Sequence, residues 1–287
     1  MGRISDSVDV LYSLLYQEKE HDLVVDTALV IKVLIITSFV VSEEKISSTN
    51  LYQILELIHK VQNDDKISIQ DKMNIEWMCL SILDGLQGRR PVILEAQLSR
   101  DPKLFCDMIK RIYGSDKEEE KEISKEQASV AHHAYKLLDR WEIPPGTDDV
   151  GGFDAKKFKE WLRTVRENAK ETGHLDSAMY SAGKVLIKIP KDDDGFWIDK
   201  EVAAILNDED SDKLREGLFS GYVNSTGVYT GGVEFENSMA NKFREMAVAT
   251  EKLGYRRLAN CIWNLEKFWL KDCRDSHDAG VENEGEE

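Results

Sequence analysis

"GLFSGYVNSTGVYTGG" (residues 217–232) is the stretch whose reading decides the fold, because everything around it carries helical signals. Five glycines, at 217, 221, 227, 231 and 232, let the backbone turn tightly or approach another surface closely. Phe219, Tyr222, Val223, Val228 and Tyr229 flank "NSTG", which reads as two short strands and a turn. The stretch therefore predicts a β-hairpin-like insert leaning on the helices that follow, since an isolated hairpin is marginal in water. Strand parity would turn Phe219 and Val223 inward and Tyr222 and Asn224 outward.

Downstream, "EFENSMANKFREMAVATEKLG" and "YRRLANCIWNLEKFWLKDC" have apolar residues at helical spacing. Gly254 ends the first and Tyr255 starts the second, so the two helices, about 235–253 and 255–271, must fold back antiparallel. Upstream, "QASVAHHAYKLLDRWEIPPG", "FDAKKFKEWLRTVRENAKETG" and "LDSAMYSAGKVLIKIP" read as helices closed by Pro144–Pro145–Gly146, Gly173 and Pro190. A weaker helix starts near Asp199.

From Ser5 to about Tyr113 the chain reads as successive helices with short polar joints. "SSTNLYQILELIHKVQ" supplies a capping cluster before Leu51, Ile54, Leu55 and Ile58, and "SIQDKMNIEWMCLSILDGL" repeats the spacing toward Gly85. "DPKLFCDMIKRIYG" opens on Asp101–Pro102, a cap and first-turn pair. The whole is an all-α chain: stacked helical hairpins over 1–114, a charged linker "SDKEEEKEISKE" at 115–126, and a helical C-terminal module over 127–273 with the insert. A disordered acidic tail is expected over 274–287.

The formal net charge is −16, and residues 272–287 contribute −6 of it. That balance excludes a general grip on nucleic-acid backbone, which needs clustered Lys and Arg. "LVVDTALVIKVLIITSFVV" (23–41) has the length and apolarity of a membrane span. However, Asp26 and Lys32 would each cost about 2.5–3.5 kcal/mol near a bilayer centre, so a helix buried on most sides is expected. The N-terminus lacks a basic region followed by an apolar core, which predicts no signal peptide. Cys79, Cys106, Cys261 and Cys273 have no zinc spacing, and Cys261 and Cys273 are too far apart along one helix to bond; reduced thiols in a cytoplasm are expected.

"REGLFSGYVNSTGVYTGG" followed by "ANKFREMAVATEKLGYRRLANCIWNLEKFW" resembles the closing segment of large multidomain bacterial proteins, some associated with defence or signalling. Asn224, Ser225, Gly227, Val228, Gly231 and Gly232 match a phrase of the type "GxxNSRGV…R/TGG". Lys242, Phe243, Arg244, Ala247, Arg257, Leu258, Ala259 and Leu265 match the two helices after it. Thr226 stands where Arg is usual, and Phe268–Trp269 replace a small-aromatic pair. The similarity covers about residues 100–273 and implies an all-helical C-terminal module without implying an activity. The chain reads either as a shorter relative or as a part of such a protein.

Chemistry-bearing motifs are sparse. "PKDDDGFWIDKE" (190–201) nearly scans as a calcium loop, with Asp192, Asp194, Gly195 and Glu201 in register, but Pro190 stands where the first carboxylate belongs. A glycine turn with Asp199 capping the next helix explains the same residues. His132 and His133 are adjacent and point to different helix faces, which defeats a shared metal. "SAGKVLI" lacks the glycine run of a phosphate loop, and no serine-hydrolase or metalloprotease signature occurs. Trp141, Trp161, Trp197, Trp263 and Trp269 sit at core spacing. No catalytic residue, cofactor or metal is expected.

These features predict a non-enzymatic protein-interaction or scaffold module of a bacterial cytoplasmic protein, with Tyr222, Asn224 and Tyr229 as candidate contact residues. Two alternatives stay open. One is an enzyme or regulated effector whose groups converge only in three dimensions, and the other is an acidic nucleic-acid mimic.

Overall fold

The computed structural model describes residues 6–14, 30, 33–34, 47–83, 89–117, 123–225 and 233–284, with side chains up to residue 271. Among them the secondary structure is helical apart from one isolated bridge between Thr147 and Phe153. The helices are α1 (residues 6–14), α2 (Ser48–Asn63), α3 (Ile69–Met78), α4 (Val92–Arg100), α5 (Pro102–Ile112) and α6 (Lys125–Asp139). They continue as α7 (Ala155–Thr172), α8 (Leu175–Val185), α9 (Lys200–Asn207), α10 (Asp212–Ser225), α11 (Val233–Lys252) and α12 (Arg256–Glu284).

The chain divides into two compact units. The first comprises residues 1–98 and 124–137, and the second residues 99–123 and 138–287. The boundary expected at 115–126 thus differs from these. A charge-dense segment marks solvation, whereas unit membership follows which apolar faces pack together.

In the first unit, Val8, Leu11, Val30, Leu34, Ile54, Leu55, Ile58, Val61, Ile75, Cys79 and Ile82 belong to one core. Val30 and Leu34 come from the 23–41 apolar run and are fully buried, and most of that run lies outside the described residues. Ser47 caps α2 by accepting from the Asn50 N–H at 3.2 Å. The Glu76 carboxylate, fully buried, accepts from the N–H groups of Ile93 (3.1 Å) and Leu94 (2.7 Å) and from Gln62 Nε2 (2.6 Å). It thereby closes the N-terminus of α4, where unpaired donors and the helix dipole favour a carboxylate. Glu95, also buried, pairs with Arg90. His133 meets Trp77 edge to face at 5.8 Å, a packing role that explains it without a ligand.

The second unit is centred on Phe105, Trp141 and Trp161, whose ring centroids lie 5.0–5.9 Å apart, with Trp141 Nε1 donating to Ser99 Oγ at 3.2 Å. Asp101 caps α5 through the Lys103 N–H at 2.8 Å, with Pro102 at its first position. Asp154 caps α7, which Gly173 ends in the left-handed conformation. Gly254, at φ 83°, reverses the chain between α11 and α12, and the two pack along their length, joined by Arg244–Glu266 at 2.7 Å.

The hairpin expected at 217–232 is corrected over its described half. Residues 217–225 complete the helix α10, and 226–232 lie outside the described residues. The described glycines serve helix packing instead of a turn. Gly217 and Gly221 are one helical turn apart and lie on the face that meets α8. A Cβ on Gly217 would fall 2.0 Å from the Tyr180 carbonyl oxygen, and one on Gly183 of α8 would fall 2.2 Å from that of Leu214. Each helical glycine costs about 1 kcal/mol of propensity. Backbone-to-backbone contact over three of them offsets that cost through the dispersion gained at close approach.

In the segment expected as an acidic tail, the backbone of 274–284 continues α12 to Glu284, and 285–287 lie outside the described residues. The segment after Trp269 contains no proline, so nothing breaks the hydrogen-bond ladder there.

Candidate interaction groove

The 190–201 segment is a turn in which Asp192, Asp194 and Asp199 are engaged. The N–H of Lys200 donates to Asp192 Oδ2 at 3.1 Å and that of Phe196 to Asp194 Oδ1 at 3.1 Å, while Lys200 Nζ pairs with Asp194. Gly195, at φ 86°, makes the reversal, and Asp199 caps α9 by accepting from Glu201 and Val202. The lysine beside Asp194 holds its carboxyl below the usual range. Among the described residues no three His, Cys, Asp or Glu side chains come together as a metal site.

Of the expected contact residues, Tyr222 packs inward, and its ring centroid lies 5.2 Å from that of Phe243 and 6.4 Å from that of Trp197. Burial pushes its phenol up. A helical period of 3.6 explains the difference from the expected outward position, since Tyr222 follows Leu218, itself fully buried, by one turn. Phe219 is half-buried against Phe268 at 6.1 Å. Asn224 is exposed, its amide 3.3 Å from Ser220 Oγ, and Tyr229 lies outside the described residues.

The second unit holds a groove of about 580 Å³ between α10 and α12. Asp212, Arg215, Glu216 and Phe219 form one wall at helical spacing, and Arg257, Asn260, Cys261 and Asn264 form the other. The α12 wall is fixed at its N-terminus by Asn207, the last residue of α9. Its Oδ1 accepts from the N–H groups of Arg257 (2.8 Å) and Leu258 (3.4 Å). At the floor, Cys261 Sγ donates to the Arg215 carbonyl at 3.4 Å.

The charged residues divide into spent and open groups. The Arg215 guanidinium is buried and donates to the carbonyls of Leu206 and Asp208 and to Asp212, so it is consumed in holding the α9–α10 connection. The side chains of Asp212 and Glu216 remain 80% and 54% exposed, and Glu216 pairs with Lys213 at 2.7 Å. Arg257 reaches Glu209 at 3.4 Å. Asn260 and Asn264 are exposed, and neither makes a side-chain hydrogen bond among the described residues. Burial pushes the Cys261 thiol up to about 12, so at neutral pH it is no nucleophile.

A second groove, of about 570 Å³, lies beside the 144–154 loop and the start of α7. Several of its polar groups are committed. Asp148 accepts from the N–H groups of Val150 and Gly152, Arg100 pairs with Asp149, and Ser99 donates to the Ile143 carbonyl.

Of the α10–α12 groove residues, the sequence pointed to Phe219 as an inward hairpin position, to Arg257 as part of a matching helix and to Cys261 as a reduced thiol, and to none of them as a site. Their signal, visible in retrospect, is the one-turn repeat Asn260–Asn264 on the exposed face of α12. Searches of protein-family models, of curated proteins and of solved structures find no match to the chain. Among the described residues no helix is long and apolar enough to cross a membrane.

Proposed function

We propose that this protein is an interaction module without chemistry of its own, and that the α10–α12 groove of its second unit is the binding surface. The observation that carries the proposal is the pair Asn260 and Asn264, exposed carboxamides one turn apart in a concave site. Ordering such amides on a rigid helix suits recognition, because each offers a donor and an acceptor and little is lost in fixing the scaffold. The groove's one thiol is protonated at neutral pH, which favours binding over catalysis. A bacterial defence or signalling setting, implied by the resemblance of residues 100–273, belongs to the same proposal.

The test is affinity capture from native cells with the wild-type chain and with Asn260→Ala/Asn264→Ala. A partner held by the first and lost by the second, at unchanged melting temperature, is the expected result. Retention of the same partners by both chains would remove the groove from consideration.

A further inference from the structure

We infer that the groove takes an extended, uncharged peptide segment, its backbone read by Asn260 and Asn264. This rests on the groove being the binding surface and names what binds there. The charges around the groove select against ionised side chains. Asp212 pairs with Arg215, Glu216 with Lys213 at 2.7 Å and Glu209 with Arg257 at 3.4 Å. Within the lining itself, Asp212 and Glu216 are balanced by Arg215 and Arg257. A lysine or glutamate entering the groove would give up hydration and meet only opposite charges that are already engaged. A segment without charge gives up nothing of this kind. The chain's net charge of −16 draws basic segments and repels acidic ones from a distance, but that effect belongs to the whole surface and is screened by salt.

The carboxamides supply the attraction. Four residues of helix advance about 6.0 Å, and two residues of extended chain advance about 6.6 Å. Asn260 and Asn264, both exposed, therefore fall in register with alternate peptide units of a strand lying along α12. Each amide can donate to a peptide carbonyl and accept from a peptide N–H, a pairing that a helical partner, with its own backbone bonds closed, does not offer. Because a carboxamide is neutral, this reading of a backbone holds at any ionic strength. Phe219 and Cys261 give the groove an apolar surface, and a strand turns every second side chain to one face. Small uncharged residues at alternate positions fit that surface.

The test is fluorescence anisotropy of the full chain with a nonapeptide of alternating threonine and alanine, capped at both ends and carrying an uncharged dye. Lysine–alanine and glutamate–alanine counterparts, and a threonine–alanine version N-methylated at alternate residues, serve as comparison probes. Binding of the threonine–alanine probe should change by less than about twofold between about 0.02 and 0.3 M salt. At the higher salt both charged probes should bind severalfold more weakly than it does. Asn260→Ala/Asn264→Ala and N-methylation should each weaken binding by about tenfold or more, the loss of two backbone-directed hydrogen-bonding groups. The N-methylated probe reads this without any change to the protein. Preference for either charged probe at the higher salt, or equal binding by the N-methylated probe, would overturn the inference. If no probe binds while a captured native partner still requires Asn260 and Asn264, the extended uncharged occupant is refuted and the binding surface stands. If neither depends on those residues, both fall.

Discussion

Replacing Gly217 with alanine tests the feature that sets the second unit's architecture, the close approach of α8 and α10. In an open helix the change would stabilise by about 1 kcal/mol, through propensity alone. Here the new Cβ would stand 2.0 Å from the Tyr180 carbonyl oxygen and 2.8 Å from Gly183 Cα, where ordinary contact begins near 3.4 Å. Both obstacles are backbone, so neither can rotate aside, and the helices must part by more than about 1 Å. Overpacking of this kind costs about 3 kcal/mol. The net loss is therefore about 2 kcal/mol, or a fall in Tm of roughly 4–8 °C for a unit of this size. Gly183→Ala meets the Leu214 carbonyl at 2.2 Å from the opposite side. The double substitution should cost less than the sum, because one separation relieves both clashes. The assay is differential scanning calorimetry on the full chain. Gly114→Ala, with nothing within 4 Å of its added Cβ, serves as the control and should be near neutral. A Gly217→Ala chain that melts at or above the wild-type temperature would refute the packing described for residues 217–225.

The first unit should show an unusual pH dependence centred on Glu76, whose carboxyl burial pushes from 4.5 to about 7 against the opposing pull of its three donors. Between those values the folded chain keeps a proton that the unfolded chain has lost. The contribution is therefore greatest below about 4.5 and falls as pH rises through 7, by about 3 kcal/mol in all. Unfolding free energies from urea titrations at pH 5.5 and 8 should differ by about 2 kcal/mol, the part of that fall lying above pH 5.5, and Glu76→Gln should remove most of that difference; an unchanged difference would exclude Glu76 as its source. Burial pushes the thiols of Cys79 and Cys261 up to about 12 and that of Cys106 up to about 11. In a Cys273→Ser chain at pH 8, iodoacetamide should label Cys79 and Cys261 about a thousandfold and Cys106 about a hundredfold more slowly than a free thiol, and all three promptly in urea. Prompt labelling of Cys261 alone in the native chain would mean that the groove floor opens to reagent.

Local signals made much of the helical framework legible. Asp101–Pro102, Asp199, Gly173 and Gly254 all act where their chemistry suggests, because capping is decided within one turn of the chain. Residues 217–225 were illegible for a different reason. Gly217 and Gly221 carry the same letters whether they serve a turn or a close helix contact, and the deciding neighbour, Gly183, lies on another helix. The mistaken period then reversed Tyr222, which parity sends outward and helical geometry sends against Phe243. The groove was hidden because its walls belong to two segments about forty residues apart, each unremarkable alone. Glu76 carried no sequence signal either, since an acid within an apolar helix looks like a surface position until α4 presents its N-terminus.

The claim that the α10–α12 groove is a binding surface is tested most directly by the side-chain amide resonances of Asn260 and Asn264 in a ¹⁵N correlation spectrum, titrated with a partner captured from native cells. The account predicts saturable shifts of those two pairs. The amide of Asn168, already donating to the Thr164 carbonyl at 2.9 Å, should stay in place. Shifts confined to other residues, or Asn260 and Asn264 signals that do not move at saturating partner, would contradict it.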